Sequence, residues 1–326
     1  MPSITTHNIF AKEVFKSLNK SVQGKLQSDI LIYEMFSQSF DFFYFYNLRD
    51  FKNGKKYRKL GTYCHKSNTQ LYLINIVDNM IKMKLNNDPQ ALAYLYGSIN
   101  HYCLDTICHP FVFYKTGIYN SQIPETKKYK GLHTKMEKAI DAYYYEKYYN
   151  KPFYKYNIVK EIIPKIKLSK PTTSLFDTVF KATYNKANIA DIFMKSYRNS
   201  RIIYRLSTFD RYGIKKKLYY IADKLMPFKN GNFVNWSYYN RDIDTSYLNN
   251  EKITWCHPCD NDIIYNTSFE DLFELARKKA VNIIAAVNKV LNSEENIDTL
   301  LELIPNISYA SGMLITDKKL MKYFEF

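Results

Sequence analysis

The chain has 326 residues, 46% of them apolar, and a formal net charge of +16. That length and apolar fraction support a packed core and exclude a disordered chain. Nine glycines, with long runs lacking proline, argue against a β-sandwich or barrel, whose turns demand both residues.

Apolar residues at steps of three and four predict helices over 9–18, 71–85, 91–108, 132–149, 175–204 and 269–291. Asp88 is placed to cap the third helix, with Pro89 at its first position. His109-Pro110 is expected to end it, because proline disfavours helical backbone in the residue before it. Ser268, with Asp271 three residues on, opens the last long helix. The stretch 228–264, rich in Asn, Asp and Tyr and holding both tryptophans, reads as irregular. The expected fold is mainly α, one compact multi-helix domain over 1–326, with a basic helical segment at 151–230 and C-terminal helices at 268–326.

The N-terminal run MPSITTHNIFAKEVFKSLNK has no apolar core behind a basic start, so no signal peptide is read. The sequence contains no uncharged apolar stretch long enough to form a transmembrane segment. Five cysteines form no evident disulfide framework, and the reducing cytoplasm is the expected compartment. Charge is uneven: residues 151–230 hold 18 Lys and Arg against five acids, or +13, leaving +3 for the rest. Such a segment suits a surface that meets phosphate, on lipid headgroups or nucleic acid, although a solvated lysine-rich face has the same composition.

The six histidines carry the most specific pattern. The run GSINHYCLDTICHP holds His101-x3-Asp105-x3-His109, and GLHTKMEKAI holds His133-x3-Glu137. Steps of four put each set along one helix face. Imidazole nitrogens and carboxylate oxygens so spaced are ordinary zinc ligands. Either motif alone is commonly a surface pair; together, and with His65 supplied from a loop, they point to a metal cluster. Cys256-His257-Pro258-Cys259 is a lone C-x2-C without a partner pair, and His257 reads as a loop residue.

The run from Gly97 to Pro110 resembles the central helix of the zinc-dependent phospholipase C family, which is related to the S1/P1 nucleases. The likeness extends to Thr6-His7 ahead of the first helix, Asp41 in SQSFDFFYFY, His65 in GTYCHKSN, and the pair His133 and Glu137. Trp255-x-x-Pro258 and the helix after it are similar to the intracellular bacterial members. The resemblance implies a zinc cluster. One ion would take Asp41, His65, His101 and Asp105; a second would take His109, His133 and Glu137. A third would take His7, Asp105 and the N-terminal amino group and carbonyl. The chain departs from the family in three places. Three residues, not five, separate Asp105 from His109; Phe40 stands where a proline usually precedes the aspartate; and no signal cleavage exposes an N-terminal tryptophan. Removal of Met1 would leave the Pro2 amine five residues before His7.

The implied activity is phospholipase C chemistry, cleaving a glycerophospholipid to diacylglycerol and a phosphorylated headgroup, with contact at an anionic membrane. Asp41 is the expected general base or water-orienting group, and Glu137 a pure ligand. Two alternatives have the same ligands: a nuclease or other phosphodiesterase acting on nucleic acid, and a non-catalytic zinc-binding protein. The last draws on Cys64, Cys103 and Cys108, which lie beside the ligands in sequence.

Overall fold

The computed structural model describes residues 4–47, 51–208, 210–226, 233–237 and 244–325. Among them the chain is mainly α. Helices α1 (Ile4–Ser17), α2 (Lys20–Leu26) and α3 (Ile30–Phe36) lead through a 3-10 turn at Ser39–Phe45 to α4 (Phe51–Cys64) and α5 (Thr69–Lys82). The long α6 (Pro89–Thr116) and α7 (Leu132–Tyr149) follow, then α8 (Ile158–Glu161), α9 (Lys170–Tyr184), α10 (Ile189–Ser207) and α11 (Ile214–Leu225). An antiparallel hairpin of β1 (Trp255–His257) and β2 (Asp260–Tyr265) precedes α12 (Phe269–Leu291) and α13 (Leu300–Leu303).

Helix α6 is the axis of the fold. From Ala91 to Val112 all of its residues except Ile107 are buried, as expected of a helix without a polar face. It packs most heavily on α3 and α12, and also on α1, α2, α5, α7, α9 and β1. Gly97 sets the distance to α3: a Cβ there would lie 2.5 Å from the Tyr33 carbonyl oxygen and 2.7 Å from Phe36 Cβ. The two backbones can approach only because that side chain is missing. At the helix start, Asp88 Oδ1 accepts the Ala91 amide at 2.8 Å and Pro89 takes the first position. Ser268 and Asp271 form the reciprocal capping pair of α12.

Three expectations are corrected. Helix α6 does not stop at His109-Pro110 but continues to Thr116 with Pro110 inside it. The proline withholds one hydrogen bond from the Thr106 carbonyl, and tight tertiary packing overrides the local preference: Gly312, at φ +66°, packs against that carbonyl and the Pro110 ring. The segment 175–204 is two helices, because Asn185 and Asn188 take left-handed backbone between them. Asp177 Oδ1 then caps α10 by accepting the Ile189 and Ala190 amides at 2.6 and 2.9 Å. The C-terminal part is not helical to its end. Beyond α13 the described chain has a 3-10 turn at Ile315–Asp317 and an isolated antiparallel bridge between Ile307 and Leu314, and it runs as a tail that bonds to Tyr114 of α6 and to Pro258 of the hairpin. Pro305 and Gly312 interrupt any helical period there. In the stretch 228–264, read as irregular, the described residues include two 3-10 turns and β1, whose Trp255 stacks on Tyr265 at 4.2 Å between ring centroids.

The Gly97 contact gives a direct test. Gly97→Ala forces a methyl group into backbone and Cβ atoms that cannot swing aside, and should destabilise the fold by about 2 kcal/mol or more. Chemical denaturation of the two proteins measures the difference.

Candidate metal centre

The eight residues singled out by pattern and resemblance lie together. Helix α6 contributes His101, Asp105 and His109 on successive turns. Helix α7 contributes His133 and Glu137, α1 contributes His7, and His65 follows the end of α4. Asp41 comes from the 3-10 turn, where Phe40, Phe42 and Phe43 are all buried. These aromatic neighbours fix the turn in the core and leave the carboxylate directed at α6.

Asp105 is the centre of the arrangement. Its Oδ1 lies 3.1 Å from His7 Nε2, and its Oδ2 lies 3.0 Å from His101 Nε2. The same Oδ2 is 3.7 Å from His65 Nε2 and 3.6 Å from His109 Nδ1. Asp41 reaches His65 Nε2 at 3.2 Å and His101 Nε2 at 3.7 Å. Glu137 is 2.9 Å from His133 Nε2 and 3.9 Å from His109 Nε2. The side chains fall into three sets whose possible ligand atoms are within 4.8 Å of one another: His7, His101 and Asp105; Asp41, His65 and His101; and His109, His133 and Glu137. The resemblance had grouped His101 with Asp41, His65 and Asp105. The structure adds His7 to its neighbours, so His101 borders two sets. Met1 and Pro2, expected to complete a third ion, lie outside the described residues.

These residues fit a cluster of cations on their own chemistry. Both nitrogens of His7 and His101, both oxygens of Asp41, Asp105 Oδ2 and His109 Nε2 are buried and make no hydrogen bond. Buried polar atoms in native proteins are nearly all partnered; so many unpartnered lone pairs converging on one place are matched by a metal ion. The charge state agrees. Burial opposes ionisation of Asp105, but His109 and His101 beside it outweigh burial and hold the carboxyl well below its usual range. Burial also works against Asp41 and Glu137, and His65 for the one and His133 for the other bring them below the usual range. Burial lowers His101 and His109. It also opposes protonation of His7 and His65, but Asp105 and Asp41 beside them outweigh it and raise both, protons that a bound metal would displace. A cavity of about 30 Å³ opens between these groups, lined by His7, Asp105, His109 and Glu137 together with Leu104 and Phe269. It has room for water.

Several supporting residues escaped the sequence reading. Asp141, one further turn along α7, accepts the Thr6 amide and hydroxyl at 2.7 Å and the Thr5 amide at 3.3 Å. A carboxylate from α7 thus caps α1 and complements its positive end, holding His7 in place. The signal was present as a second step of four, His133-x3-Glu137-x3-Asp141. Tyr309, from the tail, donates its amide to the His65 carbonyl at 2.9 Å, and its carbonyl meets His109 Nδ1 at 2.8 Å. That contact assigns the proton to His109 Nδ1 and leaves Nε2 as the ligand atom. His65 is fixed in the same way by the Gly61 carbonyl, 2.7 Å from Nδ1. No sequence pattern distinguishes Tyr309 among 31 tyrosines.

The cysteines take no part. Cys64, Cys103 and Cys108 are free and buried, and burial pushes their thiols up, Cys103 to about 12; none joins a metal set among the described residues. His257 lies at the end of β1, with Nε2 against the Ser311 carbonyl at 2.9 Å and Nδ1 accepting the Cys259 amide at 3.1 Å. Both ring nitrogens are therefore engaged by backbone.

The fold is mainly α, and its buried histidines and carboxylates form three groups that could hold metal ions. A sequence model described as zinc dependent phospholipase C matches residues 6–188, and the chain belongs to that family. No curated protein and no solved structure matches it. The matched region contains every candidate ligand and ends before α10, so Tyr309 lies outside it.

The capping role of Asp141 is testable. Asp141→Ala removes three acceptor contacts at the start of α1 and should lower stability by about 2–3 kcal/mol. It should also loosen metal bound beside His7. Denaturation and the rate of metal loss to a chelator read the two effects separately.

Proposed function

We propose that this protein is a zinc-dependent phospholipase C that cleaves a glycerophospholipid to diacylglycerol and a phosphorylated headgroup. The observation that carries the reading is the convergence of five histidines and three carboxylates on one buried centre, within the region that matches the family. Asp41, His65, His101 and Asp105 would hold one zinc ion, and His109, His133 and Glu137 a second. His7, with Asp105, would contribute to a third.

Bound there, zinc neutralises phosphate charge and makes a coordinated water more acidic. The remaining work belongs to the chain. Asp41 is the residue assigned to orient the attacking water and accept its proton, because both of its oxygens are buried, ionised and without hydrogen bonds. Water then attacks phosphorus, the bond from phosphorus to the glycerol oxygen breaks, and that oxygen takes up a proton from solvent water to leave as the hydroxyl of diacylglycerol. Asp105 holds four histidines in register, and Glu137 acts as a ligand beside His133. The fold excludes bulk water from the floor of the site, where these side chains are buried, and so strengthens each electrostatic contact.

Contact with an anionic membrane surface is part of this reading, supported by the basic segment 151–230. The cytoplasmic setting expected from sequence is in keeping with five unlinked cysteines. Among the described residues no helix is long and apolar enough to cross a membrane.

Metal analysis of the purified protein should find at least about two zinc ions per chain; fewer would overturn the cluster. Asp105→Asn should lose the most zinc of any single ligand change. Turnover of a dissolved short-chain phosphatidylcholine and of single-stranded DNA should be compared directly, since cleavage of DNA alone would replace the lipase reading with a nuclease. Asp41→Asn should lower kcat on the phospholipid by about 10²–10⁴-fold, while the zinc held by His109, His133 and Glu137 remains measurable.

A further inference from the structure

Helix α11 is oriented unlike an ordinary surface helix. It meets the body of the protein through Lys215, Tyr219, Ala222 and Asp223, its only partly covered residues. Tyr219 donates to the Leu206 carbonyl at 2.9 Å, and Asp223 accepts the Val234 amide at 2.9 Å. The apolar residues are elsewhere. Ile214, Leu218, Ile221 and Leu225 recur at steps of four, three and four, forming one stripe, and are 59%, 58%, 51% and 74% exposed. Lys216, Lys217 and Lys224 fill the remaining side and are exposed too. Soluble proteins normally turn such a stripe inward, and an exposed apolar patch rimmed by charge marks an interaction site.

The helix is nonetheless held firmly at its start. Asp210 accepts the Lys215 and Lys216 amides at 3.1 and 2.9 Å, and Lys215 Nζ donates to the Arg205 carbonyl at 3.0 Å. The same anchor leads to the metal centre. Asp210 Oδ2 accepts the Ser237 hydroxyl at 3.4 Å, and the Ser237 carbonyl accepts from Lys138, the neighbour of Glu137 on α7. Just before the anchor, Tyr204 near the end of α10 is buried, its ring centroid 5.5 Å from that of Phe45 on the 3-10 turn that carries Asp41. Leu206 and Tyr212, between Tyr204 and α11, are exposed as well.

We propose that α11 is the element by which this protein docks on an anionic phospholipid bilayer. It would lie in the plane of the interface, with Ile214, Leu218, Ile221 and Leu225 among the acyl chains and Lys216, Lys217 and Lys224 on the headgroups. Charge complementarity selects this occupant. From Arg205 to Leu225 there are six Lys and Arg and two acids, Asp210 and Asp223, and both acids are bonded to backbone amides. An apolar stripe beside lysines is the form of an interfacial helix. A nucleic-acid backbone would use the lysines and leave the aliphatic stripe unaccounted for. The choice of lipid rests on the phospholipase reading, and docking here would bring the bilayer to the side of the bundle from which Tyr204 and Ser237 lead to the metal centre.

Flotation of the zinc-loaded full chain with vesicles tests the inference. Vesicles of phosphatidylglycerol and phosphatidylcholine should carry the protein up, pure phosphatidylcholine vesicles much less. Leu218→Ser/Ile221→Ser/Leu225→Ser should lower the bound fraction by about tenfold or more. Lys216→Gln/Lys217→Gln should lower it about fivefold per lysine at low salt, with the difference fading as salt rises. Both variants change exposed side chains, and circular dichroism checks that each is folded. Undiminished binding of the triple serine variant overturns the inference, as does failure of the unaltered chain to bind anionic vesicles. Binding of single-stranded DNA that needs the lysines, without vesicle binding, also overturns it. Turnover of dissolved phospholipid is scored separately: turnover without vesicle binding removes α11 docking and leaves the phospholipase reading, and vesicle binding without turnover does the reverse.

Discussion

An ionised carboxylate at the middle of a helical bundle is the constraint around which this fold is arranged. Asp105 is buried on α6 and touches four histidines drawn from α1, α6 and the end of α4. Taking such a charge out of water is expensive unless opposite charge or donors surround it. Asp105 therefore requires that these elements arrive together, and the rest of the bundle supplies the means. Gly97 lets α3 approach α6 one turn before His101, Asp141 fastens the start of α1, and the buried phenylalanines around Asp41 seat the second carboxylate. The site is a consequence of how three helix contacts are spaced along α6.

Side chains that hold the ligands come from farther away than the ligands do. Tyr309 follows His65 by more than 240 residues in the chain, yet its amide and carbonyl touch His65 and His109. Its ring centroid lies 5.1 Å from that of His101. One residue of the tail thus constrains members of all three metal sets. The rest of the tail is partnered as well: Lys322 and Tyr323 donate to the Pro258 carbonyl at 2.7 and 3.1 Å, and Glu325 to the Tyr114 carbonyl of α6 at 2.9 Å. The tail also gives Pro110 a place, because its Gly312 packs over the turn that the proline loosens. A helix that would otherwise end at His109 is carried past it by tertiary contact.

How much of this was legible in the sequence depended on whether the cause was local. Helical period located α6 and α7, and with them His101, Asp105, His109, His133 and Glu137, because i, i+4 spacing is itself the geometry that brings those side chains to one face. Asp88 and Ser268 were equally legible, since a cap acts within three residues. His7 and Asp41 could be placed only by resemblance, and His65 joined the helical motifs only as a loop histidine, as nothing local ties a residue of α1 to a turn and a helix end. The break at Asn185 and Asn188 was hidden because apolar residues continue in phase on both sides of it. Pro110 misled because the rule for the residue before proline is a preference of an isolated backbone, and here a crowded core outweighs it. Asp141 was within reach of pattern reading, one step of four beyond Glu137; Tyr309 was not.

The distribution of charge ties site and surface together. The chain carries +16 overall, but the buried centre is acidic, with Asp41, Asp105 and Glu137 all held ionised. Cations are drawn inward to the carboxylates, and anions to a surface on which lysines predominate. On the proposed reading, a metal-loaded centre would reverse the sign of the interior and make it receptive to a substrate phosphate. Between the metal centre and α11, acids and bases are thus separated by depth, and the separation has a structural cause. The acids sit on α6, on α7 and on the buried 3-10 turn of Asp41, whereas the bases of α11 lie beside an aliphatic stripe that the body of the protein leaves open. A substrate with a charged head and an apolar tail would meet complementary surfaces in both places, which is why the outward stripe of α11 and the inward carboxylates of α6 are best understood as two ends of one arrangement.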